Sequence, residues 1–87
     1  MEILYHANFL KAYRKRIKSN KKLDLLFQNK IQLFIKNYSN PTLKDHELIG
    51  EKENYRAFWL TGDYRVVYKK VGSTIILYNI GTHNQVY

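Results

Sequence analysis

The chain carries three histidines, His6, His46 and His83, and no cysteine, so imidazole is the one side chain present whose ordinary pKa lies near neutrality. Their settings differ. His83 follows Gly81-Thr82 at the end of the apolar run "TIILYNI", and a strand leaving a sheet is a place where backbone curvature can aim a side chain into a cleft. His46 lies in "KDHELIG" beside Asp45, which could orient or charge it; a loop-capping histidine and a general base both fit that setting. His6 closes a short apolar run without a second polar group beside it and is expected to be structural or solvent-exposed.

The chemistry open to such a set is limited. With no Cys, no HExxH, no His-x-His and histidines far apart in the chain, no metal or other cofactor is expected. The four glycines are isolated, which excludes a Gly-rich phosphate loop, and no G-x-S-x-G accompanies a nucleophilic serine. Acid–base chemistry on an anion remains, with His, Asp and Arg as the tools. RNA cleavage fits them, because the 2′-hydroxyl is a nucleophile already present in the substrate. The enzyme has only to remove its proton, stabilise the crowded phosphorane and protonate the departing 5′-oxygen. Trp and Tyr can hold the neighbouring bases by stacking, at roughly 1–3 kcal/mol per base.

Charge points the same way. Lys and Arg number 15 against 7 Asp and Glu, a formal charge of +8 over 87 residues, and so basic a chain usually meets phosphate, an acidic protein or an anionic membrane. No apolar run approaches the ~20 residues of a membrane span, and the start "MEILYHANF" does not resemble a signal peptide. No membrane partner is expected. The absence of cysteine fits a cytoplasmic protein. Length confines the chain to one domain, residues 1–87, with at most a two-layer core.

The elements that must position these groups follow from periodicity. Residues 2–6 read as a first strand. Phe9, Leu10, Tyr13 and Ile17 then recur at helical steps, with Lys11, Arg14, Lys15, Arg16 and Lys18 largely between them, predicting an amphipathic helix with a basic outer face. Ser19-Asn20 ends it. A second helix is expected over Leu23, Leu26, Phe27, Ile31, Phe34, Ile35 and Tyr38, antiparallel to the first. Residues 40–50 read as a loop opened by Asn40-Pro41 and closed by Gly50.

Three strands follow, "YRAFWL", "YRVVYKK" and "TIILYNI". A three-residue connection, Thr61 to Asp63, would gather Phe58, Leu60, Tyr64, Val66 and Tyr68 on one face and Ala57, Trp59, Arg65, Val67 and Lys69 on the other. The first face is expected to pack on the helices, the second to expose Trp59, Arg65 and Lys69 as an aromatic and basic surface. The order β-α-α-β-β-β makes an α+β fold of two layers, a helical hairpin on one face of a mainly antiparallel sheet.

With these elements in place, "KDHELIG", "YRAFWLTGDYRVVYKK" and "ILYNIGTHNQVY" resemble the RelE superfamily of type II toxin-antitoxin toxins, most closely its YafQ-like branch. The likeness covers about residues 44–87 by motif and the N-terminal part by pattern alone. It implies a RelE-like microbial ribonuclease fold and a ribosome-dependent mRNA endoribonuclease neutralised by a cognate acidic antitoxin. It further implies ribosomal RNA and mRNA as partners, and a toxin that is monomeric on its own. Residue by residue, it makes His83 the general acid, His46 the histidine of the D-H motif and Asp63 a carboxylate leading into a strand. Arg65 stands at a phosphate-stabilising arginine, and Tyr87 at a terminal aromatic that positions the base. Lys69, Trp59 and Asp45 complete the expected RNA-binding set. The YafQ-like acidic residue and histidine on the first hairpin strand are replaced by Ala57 and Trp59, which removes one candidate base. His46 is then the base, with Asp63 an orienter or alternative base. Two other readings stay open: a same-fold ParE-type toxin that poisons gyrase without nuclease activity, and a non-catalytic basic RNA- or protein-binding module.

Overall fold

The computed structural model describes residues 1–48 and 54–87. Strand β1 (Glu2–Tyr5) leads into α1 (Ala7–Arg16) and α2 (Lys21–Lys36). A 3-10 turn over Pro41–Leu43 precedes the short strand β2 (His46–Glu47), followed by β3 (Tyr55–Trp59), β4 (Tyr64–Val71), β5 (Thr74–Thr82) and α3 (His83–Val86). The strands form one sheet in the order β1-β5-β4-β3-β2. β1 runs parallel to β5, with Ile3 opposite Ile75, and the other neighbours are antiparallel. The expected β-α-α-β-β-β order is present. Two elements are additional: β2 inside the segment read as loop, and α3 where a strand exit was expected. Gly50, the expected close of that loop, lies outside the described residues.

Both long helices begin on side-chain caps. His6 Nδ1 accepts the Asn8 N–H at 3.0 Å and Asn20 Oδ1 accepts the Leu23 N–H at 3.2 Å, each satisfying an N–H that the first turn leaves unpaired. His6 is thus structural, as expected. The Tyr13 hydroxyl bonds the Asp24 carboxylate across the helical hairpin.

Phe9, Phe27, Ile31 and Phe34 from the helices meet Phe58, Val66, Tyr68 and Leu77 from the sheet. Each such side chain, fully buried, contributes roughly 1.5–3 kcal/mol. Phe34 and Phe58 stack at 4.9 Å between ring centres. The buried stripe is narrower than the periodicity suggested. Leu10 and Ile35 are exposed, because one residue step turns each about 100° away from buried Phe9 or Phe34. α2 also stops at Lys36 rather than near Tyr38, since Asn37 leaves helical geometry at φ −157°, ψ 85°.

The β3–β4 register is the three-residue alternative: Phe58 faces Val66, Trp59 faces Arg65, and the Leu60 N–H reaches the Tyr64 carbonyl at 2.9 Å. Thr61 Oγ1 fixes the turn by accepting the Asp63 and Tyr64 N–H groups, both at 3.1 Å. Away from the helices, Ala57 and Val67 are roofed by Val86 of α3, with Leu48 and Tyr55 packed alongside. That roof corrects the expectation of an open surface: Arg65 is only 8% exposed. At the far edge, the β1–β5 pairing ends at Tyr5–Leu77. Beyond it α1 caps the open edge of β5, Asn8 Nδ2 donating to the Tyr78 carbonyl and Arg16 to the Ile80 carbonyl, each at 2.9 Å.

Candidate active site

Cross-strand register arranges the roofed face in rows, because directly opposed residues share a face. One row is Trp59, Arg65 and Gly81; the next is His46, Ala57, Val67 and Asn79. At the centre of the first row, Arg65 NH1 donates to the carbonyls of Thr61 (3.0 Å), Gly62 (2.9 Å) and Tyr64 (3.3 Å). Its Cζ lies 4.1 Å from the centre of the Trp59 ring. The guanidinium is therefore buried against neutral dipoles and an indole face. Among the described residues it has no carboxylate partner. A buried cation held this way favours an incoming anion, since its desolvation is already met by fixed carbonyls and its charge is not neutralised.

His83 reaches this row from α3. Its N–H donates to the Asp63 carbonyl at 3.1 Å, tying the turn after β3 to the end of β5. Its ring meets Tyr87 edge to face at 4.6 Å. Burial pushes the Tyr87 phenol above its ordinary pKa, and the neighbouring Arg65 guanidinium offsets part of that rise. Tyr87 thus contacts both His83 and the arginine. α3 itself is fastened by Gln85, whose Oε1 accepts the Thr82 N–H at 2.8 Å. Gly81 is explained by space rather than by a left-handed turn: a Cβ there would lie 2.7 Å from Gln85 Oε1 and 2.8 Å from an Arg16 guanidinium nitrogen.

His46 sits on the edge strand β2. Its Nδ1 lies 2.9 Å from the Lys44 carbonyl, which can only accept, so Nδ1 carries the proton and Nε2 of the neutral ring presents a lone pair. Asp45 does not orient it. The Asp45 carboxylate accepts Arg56 Nε at 2.9 Å and also the Tyr68 hydroxyl, and its side chain is 8% exposed. Burial, and then the bond to Asp45, raise the Tyr68 phenol pKa. Asp45 is therefore a buried structural group, not one presented to RNA. Arg56, joined to Glu47 as well at 3.4 Å, anchors β2 to β3.

Of the residues singled out from sequence, Trp59, Arg65, Tyr87 and His83 form a connected cluster, and Asp63 adjoins it through its carbonyl. His46 flanks it on the same face. Three inter-strand steps, roughly 14 Å, separate β2 from β5, and Trp59 and Arg65 occupy the interval. Lys69 is not brought in: it stands four residues along β4 from Arg65, about 13 Å, with Nζ 5.6 Å over the Tyr55 ring. Trp59 was read as a stacking surface, yet Arg65 and Lys44 both lie over its ring. Thr61, Lys44 and Gln85 were missed. For Gln85 the signal was present, since Thr82-x-x-Gln85 has the spacing of a capping box. Among the described residues no three His, Asp or Glu side chains converge as a metal site needs.

The backbone closely follows that of known bacterial toxins. The crystal structure of YafQ from Escherichia coli strain BL21(DE3) superposes with a TM-score of 0.83 at 23% identity, covering 99% of this chain and 97% of that one. YafQ in the E. coli DinJ–YafQ complex gives 0.81 at 24% identity over 99% and 97%. A YoeB/ParE toxin from Agrobacterium tumefaciens gives 0.79 at 16% identity over 95% and 99%. No curated protein sequence matches significantly. The fold is thus that of a group of small bacterial toxins. Within it, the sequence profile described as bacterial toxin of type II toxin-antitoxin system, YafQ, matches residues 1–87. The chain belongs to that family and is a type II toxin-antitoxin toxin; the match takes in the N-terminal part as well as the residues 44–87 that carry the motifs.

Proposed function

We propose that this toxin is a ribosome-dependent mRNA endoribonuclease that cuts by attack of the 2′-hydroxyl. The observation that carries the reading is the buried Arg65 guanidinium, held by carbonyls, without a carboxylate partner among the described residues, lying over Trp59 and beside Tyr87, whose ring meets His83, with His46 on the same face of the sheet. A phosphate set against Arg65 has His83 on the β5 side and His46 on the β2 side. His46 Nε2 takes the 2′-proton as the oxygen attacks phosphorus. Arg65 stabilises the negative charge that grows on the phosphorane oxygens, and His83 gives a proton to the 5′-oxygen as the P–O5′ bond breaks. The products are a 2′,3′-cyclic phosphate and a 5′-hydroxyl. Asp63 is the competing base, and its turn holds His83 in place. Tyr87 positions His83 as well as the base beside the cut.

The partners follow from charge and family. E. coli YafQ is seen in complex with DinJ, and this toxin, one domain and monomeric alone, is proposed to bind a cognate acidic antitoxin in the cytoplasm. Lys11, Arg14, Lys15 and Lys18 are exposed on α1 and its end, available to that antitoxin or to ribosomal RNA. Arg16, by contrast, is committed to β5. The test is primer extension on translated mRNA with wild type and His83→Gln, both checked for antitoxin binding. Wild type should create new 5′ ends bearing hydroxyls, and His83→Gln should lose them while still binding antitoxin. Full cleavage by the variant refutes the acid. Toxicity with intact mRNA and accumulating DNA breaks would instead identify a gyrase poison, and absence of both a non-catalytic binder.

A further inference from the structure

Lys44 has a left-handed backbone, φ 49° and ψ 40°, a conformation that side chains other than glycine adopt rarely and that persists where surrounding structure enforces it. That backbone serves two ends. It turns the Lys44 carbonyl onto His46 Nδ1, at 2.9 Å, and it sends the side chain back over the sheet, where Nζ lies 5.3 Å from the centre of the Trp59 ring. Lys44 stands two residues before His46 of β2, the strand on one side of β3, and Trp59 has Arg65 of β4 as its cross-strand neighbour on the other. Two cations therefore reach the indole, one from the segment leading into β2 and one from β4.

They are not equivalent. Arg65 is buried and pinned by three carbonyls, whereas Lys44 is exposed and makes no ion pair among the described residues. An exposed cation–π contact is weak, and an ammonium readily exchanges it for a phosphate oxygen. We propose that Lys44 is a second phosphate-binding residue of this site, a mobile partner to the fixed Arg65, whose carbonyl also positions His46. The proposal rests on the ribonuclease reading above. When RNA enters, the Lys44 ammonium leaves Trp59 for a non-bridging phosphate oxygen on the β2 side, and the indole it vacates takes the adjoining base. Its carbonyl stays on His46 throughout, so charge and tautomer are delivered by one residue.

The test uses ribosomes programmed with an mRNA carrying a 2′-deoxy nucleotide at the cut position, which binds without being cleaved, and ribosomes without mRNA. The affinity gained from mRNA is measured over a salt series for wild type, Lys44→Met and Lys44→Arg, with circular dichroism confirming the fold. Both variants keep the carbonyl, and only Lys44→Met loses the charge. Lys44→Met should lose about tenfold of the mRNA-dependent affinity, and its log K against log salt slope should shrink by about 0.7, the value of one phosphate on a single strand. Lys44→Arg should retain both. An unchanged increment and slope in Lys44→Met overturns the role of Lys44 and leaves the ribonuclease reading standing. A wild type whose affinity does not rise with mRNA overturns both.

Discussion

Replacing Gly81 by alanine tests whether the glycine before the Thr82-His83 pair serves space, as its surroundings indicate. The new Cβ would lie 2.7 Å from Gln85 Oε1, 2.8 Å from an Arg16 guanidinium nitrogen and 3.1 Å from Gln85 Cβ. Both side chains can move, but each then gives up what it holds: Gln85 the Thr82 N–H, Arg16 the Ile80 carbonyl and Asn79 Oδ1. At about 0.5–1.5 kcal/mol per bond, losing two of the three costs roughly 1–3 kcal/mol. The stiffer unfolded chain returns about 0.4–1 kcal/mol. A net loss of about 1–2 kcal/mol is expected by urea denaturation. Gly62 is the control, since a Cβ there meets nothing within 4 Å, and Gly62→Ala should be unchanged or gain up to about 1 kcal/mol. Removing the obstructing side chain as well, in Gly81→Ala with Gln85→Ala, should recover part of the loss expected from the two changes added together. Because α3 carries His83, cleavage by Gly81→Ala should fall about tenfold or more where the protein is still folded. A Gly81→Ala protein that unfolds at the wild-type midpoint, or a Gly62→Ala protein that loses as much, refutes the reasoning.

Asp45→Ala should cost about 1–3 kcal/mol in denaturant, since it removes the acceptor shared by Arg56 Nε and the Tyr68 hydroxyl and leaves Arg56 the exposed Glu47; a loss below about 0.5 kcal/mol would mean the network is ornamental. Tyr68, its phenol pKa raised by burial and then by Asp45, contributes stability that is fully present below the unfolded-chain pKa of about 10 and is lost as pH rises beyond it, because the unfolded chain ionises first. Thermal stability should therefore fall more steeply above about pH 10 in wild type than in Tyr68→Phe; equal slopes would contradict the assignment. Arg65→Lys keeps the charge but loses the planar contact with Trp59 and the forked carbonyl contacts, and should lower the cleavage rate about 10²-fold in a folded protein. Near-normal cleavage would mean that charge alone suffices there.

The sheet and the hairpin were legible because their signals are periodic. Alternation in "YRAFWL" and "YRVVYKK", joined to a choice of turn length, fixed which residues share a face, and a slip of one place would have put Arg65 into the helix-facing core. The elements that escaped notice are too short to be periodic. β2 is two residues long and exists through its pairing with β3 and the Arg56 bridges, which join Asp45, His46 and Glu47 to Arg56 and Ala57 across the intervening chain. α3 has four residues, far below the length at which a helix holds in water by itself. It forms because Val86 finds Ala57 and Val67 and Gln85 closes on Thr82. Helical stripes misled in the opposite direction: hydrophobicity marked Leu10 and Ile35 for burial, and only the width of the sheet-facing contact excludes them.

At the site, residue type was readable and partnership was not. Arg65 beside a tryptophan on the neighbouring strand reads as an exposed basic surface until α3 and Tyr87 are known to close over that face, whereupon the same arginine becomes a buried, preset cation. Asp45 shows the reverse. Adjacent to His46 in sequence, it alternates to the other side of the chain and joins Arg56 and Tyr68, while the nearer partner of His46 is a backbone carbonyl invisible to any motif. This division has a chemical consequence. A backbone carbonyl can only accept, so it fixes which ring nitrogen of His46 carries the proton. The Lys44 carbonyl thereby takes Nδ1 of His46 and leaves Nε2 out of that bond, beside a cluster already rich in cations. That is the tautomer the proposed base requires, with the nitrogen that would take the 2′-proton not engaged by the backbone.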